Sequence, residues 1–218
     1  MTHRPQTIAI LGAGKLGITL AQLALRAGYT VYIAGSGGTE KIMLSVEVLA
    51  PGAHAVSSHE AIEHADIVIL AMPLGKFRLV PHAAVAGKLI IDATNYWWEV
   101  DGARDTIIDP SQSSSEAIQD FFDTAGVVKA LNHMGYHDLH DGARPSGTPG
   151  RKAIAVAGDD KANVATVSEF IDTIGFDPYI VGSLASGRAL EPGGPVFGAN
   201  VDLPTLTRLL DTDHTTAS

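Results

Sequence analysis

Residues 8–25 read IAILGAGKLGITLAQLAL. Ile8 to Leu11 form a short apolar run, and Gly12, Gly14 and Gly17 follow in G-x-G-x-x-G spacing. Leu16, Leu20, Leu23, Ala24 and Ala27 then recur with helical period. A strand that turns sharply into a helix needs such glycines. Gly12 lets the chain turn, Gly14 lets a pyrophosphate approach the backbone, and Gly17 lets helix and strand pack closely. The free N–H groups and positive dipole end of the helix then face the phosphates. The spacing alone is common; a strand before it and a helix after it make it a dinucleotide-binding signature.

Composition sets the limits around this stretch. The chain has 218 residues, 45% of them hydrophobic, enough for one α/β domain and a small addition. Fifteen basic residues stand against 24 acidic ones, a net charge of −9. That balance disfavours nucleic acid and anionic membranes as partners. The absence of Cys excludes disulfides, thiolate metal sites and a Cys nucleophile. The opening MTHRPQT has no basic-then-apolar signal pattern, and no apolar run reaches the length of a membrane span. We expect a soluble, cytoplasmic protein.

Residues 29–34, YTVYIA, read as a second strand, with Gly28 ending the helix before it. Thr39 is an N-cap candidate for a helix carrying Ile42, Met43, Val46 and Leu49, stopped by Pro51-Gly52. Further strands are expected at 67–72, 89–92, 127–130, 153–157 and 178–181. Helices are expected from Ser57-Ser58 to Ile62 and at 81–86, 116–122 and 163–174. Alternation of this kind predicts a Rossmann-type, doubly wound and mainly parallel α/β sheet with helices on both faces. We expect a dinucleotide-binding domain over 1–182. Residues 183–218, dense in Gly and Pro, are expected to form a small helical appendage completing the substrate site.

The end of the second strand bears on the choice of dinucleotide. NAD-binding units place a carboxylate there, on the ribose hydroxyls. Here the sequence is Ala34-Gly35-Ser36-Gly37, with Thr39 and Lys41 close behind. Hydroxyls, backbone N–H groups and an ammonium favour a 2′-phosphate, hence NADP.

Several stretches together, ILGAGKLG, YTVYIAGSG, DIVILAMP, GKLIIDATN, VVKALN, AVAGDD, GFDPYIVG and LASGRALEP, resemble the F-420-dependent NADP oxidoreductases. Those enzymes pass hydride between a deazaflavin coenzyme and NADP, and the same domain occurs in NADPH-dependent metalloreductases of membranes. The resemblance runs from residue 7 to about 192. It implies that Gly12, Ala13, Gly14, Lys15 and Leu16 surround the pyrophosphate and that Ser36 meets the 2′-phosphate. It implies that Ala71, Met72, Pro73 and Asn95 lie along the ribose and nicotinamide, with Asn132 close to the nicotinamide. The family commonly has Ser-Arg after the second strand and a Pro after DATN; this chain has Ser36-Gly37 and Tyr96-Trp97-Trp98. The co-substrate implied is coenzyme F-420 or a flavin, and the reaction a hydride transfer to that small-molecule acceptor by a protein we expect to be a homodimer; the alternatives are an NADPH-dependent reductase of a ferric chelate or small carbonyl compound and a non-catalytic NADP(H) sensor. Such a reaction needs two stacked rings and excluded water more than acid–base groups.

Other residues admit two readings at this level. Trp97 and Trp98 are suited to stack on a flavin-like ring or to pack in the core or at a dimer interface. His133 is a candidate cofactor contact or proton donor, grouped with Asn132 as catalytic. His133 and His137, spaced i, i+4 and followed by His140, could alternatively hold a metal, though we expect none. Arg188 either contacts the substrate or forms an internal ion pair with Glu191. Asp159-Asp160 is read as helix capping rather than a metal pair.

Overall fold

The computed structural model describes residues 7–216, with side chains to residue 211. The first strand, β1 (Thr7–Leu11), runs into helix α1 (Lys15–Arg26) and back to β2 (Thr30–Ala34). Helix α2 (Glu40–Leu49), a two-residue edge strand β3 (His54–Ala55) and helix α3 (Ser58–His64) follow. Strand β4 (Ile67–Leu70) then returns to the other side of β1. The rest of the sheet is β5 (Leu89–Asp92), β6 (Gly126–Lys129), β7 (Ala153–Gly158) and β8 (Asp177–Gly182). The spatial order is β3-β2-β1-β4-β5-β6-β7-β8. Every pairing is parallel except β6–β7. The mainly parallel, doubly wound sheet expected from the sequence is therefore present, with one strand pair turned over at its far side.

The helix boundaries follow local chemistry. Gly28 at φ +88° ends α1, and Gly175 at φ +114° ends helix α7 (Lys161–Thr173). Ser57 Oγ accepts the Glu60 N–H at the start of α3. Between them, α4 (Trp98–Asp101) is a single turn. Helix α5 (Ser114–Phe121) opens with a reciprocal capping box between Ser113 and Glu116. Asp160 caps α7 through the Asn163 N–H, as expected. Thr39 does stand at the N-cap of α2, but its side chain makes no capping bond. The helix expected at 81–86 is a 3-10 turn, His82–Val85, preceded by another, Leu74–Leu79.

The two faces of the sheet bury separate apolar clusters. One joins Ile8, Ile10, Ile33, Ile69 and Ile91 to α1 and α7; the other joins Leu11, Val68, Leu70 and Ile90 to Phe77 and Phe122. Burial of both faces explains why the strands are nearly continuous Ile, Val and Ala. After β8 the chain forms a 3-10 segment, Leu184–Leu190, lying against β6 and β7. It ends in helix α8 (Leu203–Thr216), whose Leu206 and Leu210 pack on Ala153 and Ala155. Helix α6 (Tyr136–Gly142) packs on α1. Among the described residues no helix is long and apolar enough to cross a membrane.

Candidate active site

Strand register aligns the residues that matter. Ala34 pairs with Leu11, Leu11 with Leu70, Leu70 with Asp92, and Asp92 with Lys129. The loops beginning at Gly35, Gly12, Ala71, Ala93 and Ala130 therefore leave the sheet along one edge. The chain winds away from β1 in both directions, to β2 and to β4, so the switch point lies between the Gly12 and Ala71 loops. Ligands of such sheets bind there.

The three glycines differ in what surrounds them. A Cβ on Gly12, whose φ is +128°, would lie 2.1 Å from the Ala71 carbonyl oxygen. A Cβ on Gly17 would lie 1.7 Å from the Gly12 oxygen, so this glycine sets the helix–strand approach. A Cβ on Gly14 would meet nothing within 4 Å. The first turn of α1 carries no acidic residue, and Gly14 offers no side-chain cap. Open space above an uncapped helix start is what a pyrophosphate requires. Ala13 and Leu16 pack down onto the core, while Lys15 Nζ stands 5.4 Å from the Tyr136 ring centroid. Tyr136 was not foreseen from the sequence.

Next to Gly12 is a cavity of about 110 Å³ lined by Ser36, Met72, Ser58 and Lys76 among others. Lys41 folds across Gly37, its Nζ 3.1 Å from where a Cβ would stand, which brings an ammonium beside Ser36. Lys76 is a second cation that sequence reading missed. The Ser36–Lys41–Lys76 surroundings and the lack of a carboxylate at residues 35–38 fit a 2′-phosphate, while the Glu40 carboxylate folds back over Gly38. Thr39 has helical backbone angles and is not among the residues lining that cavity.

Further along the edge, Asn95 and Asn132 grip each other. Asn95 Nδ2 donates to the Asn132 carbonyl at 2.8 Å, and Asn132 Nδ2 donates to Asn95 Oδ1 at 3.0 Å and to the Leu190 carbonyl at 2.7 Å. Asn132 Oδ1 is buried and has no partner. Leu131, just before it, holds φ +67°, the single non-glycine positive φ among the described residues. That strained turn aims Asn132 away from β6 and toward Asn95.

Beneath this pair lies a buried network. Lys129 and Asp92 are both fully buried and form an ion pair at 2.9 Å. Lys129 Nζ also donates to the Thr94 carbonyl at 2.7 Å and to Ser114 Oγ at 3.2 Å, so all three of its protons are used. Asp92 accepts the Thr94 N–H and hydroxyl on Oδ1 and the Ser115 hydroxyl on Oδ2. The network fixes the Thr94–Asn95 turn. Its sequence signal was a charge at the end of each of two apolar strands, IID and VVK.

His133 occupies a different place from the one expected. It is 1% exposed, and Nε2 accepts the Ala155 N–H at 3.0 Å. The ring proton therefore sits on Nδ1, which faces the Val196 carbonyl without full hydrogen-bond geometry. Burial holds its pKa down to about 4. A neutral ring joining β7 to the 191–198 loop is no proton donor to the crevice. His137 is exposed on α6, His140 meets Gln22, and no cluster of metal-binding side chains exists among the described residues.

Trp97 and Trp98 are 47% and 65% exposed, which removes the core reading for both. Trp97 meets Phe197 edge to face at 5.9 Å, beside the Asn95 turn. Arg188 is not paired with Glu191. Glu191 takes the Ser114 N–H at 2.6 Å and faces Arg104 at 3.4 Å, while Arg188 reaches the Pro110 carbonyl.

Residues 7–96 match the family described as NADP oxidoreductase, coenzyme F420-dependent. The chain is 26% identical over 186 residues, 84% of its length, to Metalloreductase STEAP3 of Rattus norvegicus, of which it spans 35%. It superposes on the hypothetical protein SMa0349 from Sinorhizobium meliloti with TM-score 0.78 and 27% identity, covering 90% of this chain and 95% of that one. A candidate F420-dependent NADP reductase from Arthrobacter sp. FB24 shares the fold at TM-score 0.72 and 23% identity, over 96% and 95% of the two chains. The glycine cradle and the carboxylate-free second strand lie within residues 7–96, the part of the chain that is similar to the coenzyme F420-dependent NADP oxidoreductase family.

Proposed function

We propose that this protein transfers hydride between NADPH and a deazaflavin or flavin-like acceptor. The observation that carries the reading is the pair of exposed tryptophans beside the Asn95–Asn132 pair, on the same sheet edge as the open Gly14 cradle. A planar acceptor needs a flat apolar surface over the nicotinamide, and Trp97 and Trp98 supply one. In this reading the backbone N–H groups of Lys15 and Leu16 hold the pyrophosphate. Ser36 and Lys41 hold the 2′-phosphate, and Ala71, Met72 and Pro73 line the ribose. Asn132 Oδ1 accepts a hydrogen bond from the nicotinamide amide or a ribose hydroxyl, and Asn95 fixes Asn132. Arg188 belongs to the acceptor side.

The nicotinamide supplies a hydride, two electrons and one proton, and a solvent proton completes reduction of the acceptor. No side chain has to donate that proton, which agrees with a neutral, buried His133. The chain's own contribution is to orient two rings and keep water from between them. The test is NADPH oxidation with deazaflavin, riboflavin and a ferric chelate as acceptors. Oxidation with the first two supports the reading. NADPH that binds but is never consumed rejects it. The likeness to the rat metalloreductase favours a second reading, in which the ferric chelate alone is reduced.

A further inference from the structure

The two exposed tryptophans stand on a turn that cannot hold its own shape. Helix α4 is four residues long, and none of them is buried. The Val100, Asp101 and Gly102 N–H groups close it onto the Trp97 and Trp98 carbonyls, and Gly102, at φ +74°, ends it. A single helical turn loses more conformational entropy than its few hydrogen bonds return. Side chains therefore set its position, and Asp101 acts at two points. Its Oδ2 accepts the Trp97 N–H at 2.9 Å. Its Oδ1 accepts the Gly75 N–H, also at 2.9 Å. Gly75 lies in the first turn of the 3-10 segment Leu74–Leu79, directly after Met72-Pro73, where backbone donors have no partner within the helix. A Cβ on Gly75 would stand 3.2 Å from Asp101 Oδ1, so glycine lets the carboxylate approach. The Tyr96 hydroxyl donates to the Gly102 carbonyl at 2.6 Å, which closes the loop on itself. Arg78 Nη2 donates to the Ile107 carbonyl at 2.8 Å and continues the seam between the two segments.

We infer that Asp101 is the positioning residue of the acceptor side: its carboxylate locks the Trp97–Trp98 turn to the Met72–Pro73 turn, and so fixes the slot in which a flat ring meets the nicotinamide. A carboxylate suits this task because its bonds to N–H groups are charge-assisted and it has an oxygen for each turn. The inference rests on the hydride-transfer reading and adds to it the residue that holds the acceptor's wall in place.

Trp97 and Trp98 are the chain's only tryptophans, so intrinsic fluorescence reports on this turn alone. Time-resolved anisotropy of Asp101→Ala should show a nanosecond local motion that the unmutated protein lacks. The KM for riboflavin should rise about fivefold through lost stacking, while the Kd for NADPH stays unchanged. Asp101→Asn keeps one oxygen acceptor and should fall between. Added to Trp97→Ala with Trp98→Ala, the Asp101→Ala change should leave the riboflavin KM where the tryptophan substitutions put it. A general loosening would instead weaken NADPH binding and act in either background. Equal tryptophan rigidity with and without Asp101, an unchanged riboflavin KM in Asp101→Ala, or an equal rise in both backgrounds would overturn the proposal. Should Asp101→Ala fail to fold, Asp101→Asn decides: partial motion with a smaller KM rise upholds the clamp, and no change in either ends it. Should the unmutated protein reduce no flavin, the hydride-transfer reading fails on its own, and the anisotropy comparison still decides whether Asp101 holds the tryptophans.

Discussion

Acid should destabilise this protein through His133 in a way that one substitution removes. The ring is 1% exposed and its pKa is lowered from 6.5 to about 4 by burial. The unfolded chain therefore binds a proton between those values that the folded chain does not. Stability must rise with pH across the window, and it is lost as pH falls from 6.5 toward 4. A shift of two and a half units at about 1.4 kcal/mol each gives about 3 kcal/mol in all, most of it lost by about pH 4.5. Urea unfolding at neutral pH and near pH 4.5 reads this directly, compared between the unmutated protein and His133→Gln. Glutamine can still accept the Ala155 N–H and does not titrate. The unmutated protein should lose about 2 kcal/mol more than the variant over that interval. Equal losses would show that His133 is protonated in the folded state and that its buried, neutral placement is mistaken.

Other substitutions separate folding from binding. Lys129→Met leaves the Asp92 charge buried and unpaired and should cost about 3–5 kcal/mol in urea unfolding, with Asp92→Asn added to Lys129→Met recovering part of it. Gly17→Ala, whose Cβ overlaps the Gly12 carbonyl, should lose about 3 kcal/mol of stability. Gly14→Val should keep the melting temperature and lose NADPH affinity, because its side chain enters the open space above α1; equal stability and equal affinity in both glycine variants would refute the cradle. Ser36→Asp should weaken NADPH roughly tenfold, about 1.4 kcal/mol, by repelling the 2′-phosphate, and leave NADH nearly unchanged in parallel titrations.

Features set by local sequence were legible and those set by distant pairing were not. The Gly12 and Gly17 roles follow from spacing and appear in the crowded backbone around each, while Gly14 has open space around it. Strands buried on both faces announce themselves as apolar runs, and caps such as Ser57 and Asp160 are local. Strand β3 has two residues and no periodicity to detect. The reversal of β7 depends on which strand edge is vacant, a property of the whole sheet. Lys129 and Asp92 are 37 positions apart and meet because their strands pair in register. His133 looked like a site residue because it follows Asn132; the turn at Leu131 sends the two side chains to different surroundings. The Gly- and Pro-rich stretch after β8 is expected from the sequence to be a helical appendage, with no element boundaries placed in it. It nonetheless supplies the Leu190 carbonyl and Phe197 at the crevice.

Direct transfer between two rings in that crevice is the central claim, and isotope tracing tests it. NADPH carrying deuterium at the transferred position of the nicotinamide would be incubated with the protein and an oxidised deazaflavin, and the reduced product analysed by mass. The ring carbon that receives the hydride does not exchange with water, so direct transfer predicts deuterium retained in the reduced deazaflavin. Reduced product without deuterium, or NADPH bound and left unoxidised, would contradict the account.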